Sequence, residues 1–87
     1  MIGYVYILED ERGMYYIGSS TKPDERYARH LNGFVHTSAR MKNPRRIFLQ
    51  EFKTIQEAKK IERKLKKLKR KDYIKKVIED GYIKMKP

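Results

Sequence analysis

Cysteine is absent from this chain, which excludes disulfides and thiolate metal sites. Histidine is nearly absent. His30 and His36 are the only two, so a zinc centre built on histidines is not expected. No apolar run approaches the ~18 residues needed to span a membrane, so no segment is expected to span one, and no membrane is expected as a partner ahead of nucleic acid. The first residues lack the charged-then-apolar layout of a secretory leader, and the expected location is cytoplasmic. There is no internal repeat and no linker-like stretch. A chain of 87 residues can bury only roughly 60% of its unfolded surface and has no room for a second core. A single domain over residues 1–87 is expected, with its core at 3–80 and a short tail at 82–87.

Acidic residues are also scarce. Asp plus Glu number 11 against 22 Lys plus Arg, a formal net charge of +11. A heat-adapted surface rich in lysine normally adds glutamate in step, and this one does not. A small domain this basic meets a polyanion. Nucleic acid is the first candidate and an anionic membrane surface the second.

What remains is patterned. Residues 2–8 form an apolar and aromatic run with β-branched members, which predicts a strand. Tyr4, Tyr6 and Leu8 fall on one face, Gly3, Val5 and Ile7 on the other. Residues 9–13 have a hairpin-loop composition, and 14–19 return as a second strand. A loop centred on Glu11 sets Tyr6 opposite Tyr16 and Leu8 opposite Met14. Thr21, Pro23 and Asp24 predict a capped helix start, with Thr21 at the N-cap. That helix runs to about Asn32, Gly33 suits the residue past its end, and Tyr27 and Leu31 form its buried stripe. A loop follows over 34–44, then a third strand over 47–52. Thr54 and Glu57 have capping-box spacing before a helix with Ala58, Ile61, Leu65 and Leu68 on one side. A last helix spans about 72–80 and stops at Gly81. The fold class expected is α+β, a three-stranded antiparallel sheet flanked by three helices in the order β-β-α-β-α-α.

Seven tyrosines occur, four of them in the first hairpin. They either pack a core or, with Tyr6 and Tyr16 on one face, stand beside the first helix. That helix carries Arg26 and His30 at i,i+4, with Arg29 adjacent. A guanidinium fork matches two phosphate oxygens and offsets charge built up on phosphorus under attack. A phenol can orient water, or take its proton where neighbouring cations or a metal depress its pKa. Glu62 is either an ion-pair partner of Lys66 or an inward carboxylate, since it follows Ile61 at the border of the apolar stripe. A lone carboxylate suits Mg²⁺, which keeps most of its waters. The later helix bristles with cations, Lys66 and Lys69 among them, and Arg40 and Arg45 stand at the end of the 34–44 loop. All are candidates for tracking a phosphate backbone.

These residues, in this order and at these separations, resemble the GIY-YIG nuclease domain. The likeness runs over about residues 3–80: Tyr4-Val5-Tyr6, then Tyr16-Ile17-Gly18, then Arg26 and His30, then Ala58 and Glu62. It is closest to the small standalone members related to the amino-terminal nuclease domain of excinuclease C. The resemblance implies metal-dependent hydrolysis of DNA phosphodiesters, in repair or recombination, with one Mg²⁺ or Mn²⁺ ion on Glu62. It implies that Tyr6 and Tyr16 are the motif tyrosines and Gly18 the second-motif glycine. Arg26 would steady the scissile phosphate, and His30 would share the network that activates water. Thr37 matches a threonine common in small members. Tyr4 stands where the first motif has glycine, and no asparagine follows Asn43, where many members carry a late one. The alternatives are a catalytically silent nucleic-acid-binding module dependent on a partner, and a tyrosine nucleophile forming a covalent phosphate. So small a domain offers little surface for choosing a site, so a protein partner or homodimer is expected alongside DNA.

Overall fold

The structure is a computed structural model that describes residues 1–33, 40–68 and 70–84. Its elements are β1 (Gly3–Glu9), β2 (Tyr15–Ser20), α1 (Pro23–Leu31), β3 (Arg45–Phe52), α2 (Ile55–Leu68) and α3 (Lys71–Asp80). The three strands form one antiparallel sheet in the order β2-β1-β3, so β1 is central and both its neighbours are edges. This is the expected α+β architecture, in the expected order. Thr37, His36 and Lys69 lie outside the described residues.

The alternation in β1 sorts the sheet into two buried faces. Val5 and Ile7, with Ile17 and Phe48 from the flanking strands, pack against Ala58, Ile61 and Leu65 of α2 and Ile74 and Val77 of α3. Ile83 in the tail joins this core, its N–H donating to Gln50 Oε1 at 2.6 Å. The opposite face carries Tyr6 and Leu8, both essentially inaccessible. α1 lies against that face, and its buried residue is His30. Arg46 helps hold α1 down. It pairs with Asp24 at 2.9 Å and lays its guanidinium over the Tyr27 ring.

Three local expectations are corrected. First, Tyr6 pairs with Gly18 and Leu8 with Tyr16, a shift of two residues from the expected register. The hub of the hairpin is the buried Asp10 carboxylate, which accepts N–H groups from Arg12, Met14 and Lys42. These bonds hold its pKa below the usual carboxylate value against the opposing effect of burial. They centre the loop on Arg12, with Gly13 taking the left-handed φ of 80°. An even shift preserves which face each side chain occupies, so Tyr6 and Tyr16 still share one. Second, the N-cap of α1 is Lys22 rather than Thr21, because proline occupies the first helical position and the cap must precede it. Third, Leu31 is 54% exposed and does not form the buried stripe. The side of α1 that meets the sheet carries Arg26 and His30. Met14, too, is exposed at the hairpin rather than opposite Leu8.

At the start of α2 and the end of α3 the sequence signals hold. Thr54 Oγ1 accepts the Glu57 N–H at 3.1 Å, and α3 ends with Gly81 in the left-handed region at φ 79°.

Candidate active site

The centre of the site is the middle of β1. Tyr6 projects toward α1, and its hydroxyl lies 2.8 Å from His30 Nε2 in a buried hydrogen bond. Tyr16, on the neighbouring strand, brings its ring to 6.3 Å from that of Tyr6 and 4.8 Å from the His30 imidazole, edge-on to the latter. Two phenols and an imidazole are therefore mutually packed. Gly18, opposite Tyr6 on β2, makes this arrangement fit. A Cβ on Gly18 would lie 2.4 Å from both Cζ and Oη of Tyr6. The Tyr6 ring rests on bare backbone, and a larger residue would push it off His30.

Arg26, one turn before His30, sets the electrostatics. The adjacent phenols raise its pKa, the Tyr6 contact contributing most. Among the described residues, its Nε is the buried side-chain nitrogen or oxygen with no hydrogen-bond partner. An orphaned buried donor is costly; the rest of Arg26 lines an open hollow with Lys22 and Arg29, where a guanidinium suits an anion such as phosphate. Burial, reinforced by the Arg26 charge, pushes His30 down to about 4, so the imidazole is neutral at pH 7. Burial pushes the Tyr6 phenol up to about 12, with Arg26 pulling the other way and Tyr16 and Glu62 adding to the rise. Tyr6 is therefore a protonated phenol in the free protein.

Glu62 reaches the cluster around the sheet edge. Among the described residues β2 is an edge strand of the sheet. Ser19, pointing to the α2 side, donates its hydroxyl to Glu62 Oε1 at 2.5 Å. Lys66 donates to Oε2 at 2.6 Å, and its ammonium lies 5.7 Å from the centre of the Tyr16 ring. The Glu62 side chain is 19% exposed, so it faces neither bulk solvent nor the core. Glu62 is thus the ion-pair partner of Lys66 and, at the same time, a half-buried carboxylate held by Ser19 of the sheet.

A scan of family models matches the GIY-YIG catalytic domain over residues 2–76. The chain belongs to the GIY-YIG family. Among solved structures, this GIY-YIG domain is similar to the solution NMR structure of the UPF0213 protein BH0048 from Bacillus halodurans. The two share 32% identity at a TM-score of 0.58, over 93% of this chain and 87% of the other. No curated protein matches at a significant level.

Of the expected phosphate contacts, Arg29 lines a small basic hollow of about 210 Å³ with Arg26 and Lys22. Lys66 stands at Glu62. Arg40 and Arg45 are elsewhere. The Arg40 carbonyl accepts from the Arg12 guanidinium at the hairpin, and Arg45 lines a separate hollow with Glu11 and Tyr27. Tyr4 is engaged across the sheet, its hydroxyl donating to Glu51 at 3.3 Å. Among the described residues, no three His, Asp or Glu side chains gather into a ready-made cage. The donor set at Glu62 is one carboxylate and one hydroxyl. That fits a hard cation that keeps most of its waters, such as Mg²⁺, and not a metal needing several protein ligands. Ser19 is a site residue that the sequence does not single out. A serine at the end of a strand carries no periodic signal, and only its pairing with α2 reveals what it holds.

Proposed function

We propose that this GIY-YIG domain is a divalent-metal-dependent endonuclease that hydrolyses phosphodiester bonds in DNA. The observation that carries this reading is the buried Tyr6–His30 hydrogen bond beside the orphaned Arg26 Nε. A neutral imidazole and an undissociated phenol form a proton relay, and the permanently charged Arg26 guanidinium beside them is the anion site.

With His30 protonated on Nδ1, Tyr6 donates to Nε2, accepts from Arg26 and keeps one oxygen lone pair for a proton arriving from elsewhere. Tyr16, only half-buried, is the phenol at the solvent side and orients the attacking water. As water attacks phosphorus, its proton passes to Tyr6 Oη while Tyr6 gives its own to His30 Nε2. The bond to the leaving ester oxygen breaks, and that oxygen takes a proton from solvent. No phenolate need persist, which suits a phenol pushed up to about 12. Arg26 donates to the phosphate, and its fixed charge offsets the negative charge gathering there. Glu62 and Ser19 would hold one Mg²⁺ or Mn²⁺ ion, which when bound supplies Lewis-acid polarisation of the phosphate. Tyr6 fits less well as a nucleophile, since its hydroxyl is undissociated and already hydrogen-bonded to His30.

The test is nicking of a supercoiled plasmid with and without Mg²⁺. Wild type is expected to nick only with the ion, and Tyr6→Phe to lose about 10²-fold or more. A Glu62→Ala protein that folds normally and nicks as fast as wild type would overturn the metal assignment. One observation favours a second reading, a binding module without catalysis. Lys66 already neutralises Glu62. That reading predicts salt-sensitive DNA binding and no cleavage with any divalent ion.

A further inference from the structure

On the far side of the β2 edge from Tyr16 lies a hollow of about 320 Å³, at the lower end of clefts that hold small ligands, roughly 300–1,000 Å³. Its floor is apolar, from Ile17, Leu65 and Ile74. Tyr15 forms one wall, Met14 part of the mouth, and the rim carries Lys66, Arg70 and Lys71. The Lys71 ammonium stands 5.7 Å from the centre of the Tyr15 ring, and Arg70 is paired with Asp72. Tyr15 and Tyr16 are successive residues of an edge strand and so point to opposite faces. The hollow and the Tyr6–Tyr16–His30 centre are back to back across one strand, with Lys66 belonging to both.

We propose that this hollow takes one unpaired nucleobase of the substrate, next to the phosphate that is cut. The inference rests on the nucleic-acid reading above and deepens it by naming the substrate class: single-stranded or locally unpaired DNA. A base offers a flat, largely apolar ring to the floor and to Tyr15. The phosphates on either side of it answer the cationic rim, to which Lys71 turns as the base displaces it from the tyrosine. Aromatic platforms with basic borders bind unpaired bases without regard to sequence. In an intact duplex, the base would first have to leave its stack.

The experiment is metal-free binding of the full chain to a single-stranded oligonucleotide containing 2-aminopurine, and to its duplex, at one salt concentration. Met14→Glu places a carboxylate at the mouth of the hollow. Tyr82→Glu places the same charge on an exposed tyrosine, 52% accessible, that does not line it. Met14→Glu is expected to weaken single-strand binding at least tenfold more than Tyr82→Glu, with equal duplex affinities for the two. Tyr15→Leu, which keeps the apolar bulk, is expected to lose the 2-aminopurine quenching, with circular dichroism confirming the fold. Equal weakening by the two glutamates, or quenching that survives Tyr15→Leu, would overturn the proposal. Because no metal is present, these outcomes are independent of nicking. A chain that binds in this way and cuts nothing would count against the nuclease alone.

Discussion

Replacing Gly18 by alanine sets two opposed effects against each other, and the structure decides between them. Gly18 lies in a strand and is not among the positive-φ glycines, so alanine is free to adopt its backbone conformation. Reduced freedom of the unfolded chain should then stabilise the variant by about 0.4–1 kcal/mol. Against this, the new methyl would sit 2.4 Å from Tyr6 Cζ and Oη. That ring is fully buried and hydrogen-bonded, so it cannot swing aside as a surface side chain would. Overpacking costs about 1–3 kcal/mol, and losing the Tyr6–His30 bond adds about 1 kcal/mol. The net expectation is a loss of about 2 kcal/mol, or roughly 8–16 °C in Tm for a domain of this size. Urea denaturation followed by circular dichroism measures it. In a Tyr6→Leu background the ring end is gone, and the same alanine should cost nothing or stabilise slightly. A cost under about 0.5 kcal/mol in the wild-type background, or an equal cost in both, would show that Tyr6 does not rest on Gly18.

Other consequences are as direct. His30 has its pKa depressed from 6.5 to about 4 in the fold, so the unfolded chain binds the extra proton first. Stability should therefore fall as pH drops from about 6.5 towards 4, and a His30→Gln protein should lack that part of the profile. A ¹⁵N-detected histidine titration reads the pKa itself, and a value near 6.5 would contradict the buried, Arg26-facing placement. Lys66→Met should free Glu62 from its ion pair and lower the Mg²⁺ concentration that half-saturates nicking; an unchanged or higher requirement would show that the ammonium does not compete with the ion. Thr54→Ala removes the acceptor of the Glu57 N–H and should cost about 1 kcal/mol while leaving nicking unchanged. A loss of nicking in that folded variant would mean that the rest of α2 does not hold Glu62 in place without its cap.

The sequence made the faces legible but not the phase. Tyr6 is separated from Val5 and Ile7 without ambiguity because successive side chains of a strand point to opposite faces. The hairpin register depends on Asp10, whose third backbone partner is Lys42, 32 residues away. No local pattern encodes that bond. For the same reason the apolar stripe of α1 misleads. Tyr27 and Leu31 are its apolar residues, yet the sheet face it meets offers the Tyr6 hydroxyl, and a histidine answers that better than a leucine. Glu62 was legible as a border position. That it touches Ser19 was not, because the contact joins residues 43 apart in sequence. The place of Gly18 in its motif was readable, whereas the physical need for it, a tyrosine ring resting on its α-carbon, required the structure.

Whether a carboxylate from α2 and the hydroxyl-bearing cluster on β1 and β2 form one ion-dependent site is tested most directly by titrating Mn²⁺ into ¹⁵N-labelled protein. Paramagnetic broadening falls off steeply with distance from the ion. The amides of Ser19, Tyr16 and Glu62 should broaden first, and Glu62→Gln should abolish the effect. Broadening that begins at Asp10 or Glu11, or that is unchanged in Glu62→Gln, would contradict a metal site at Glu62.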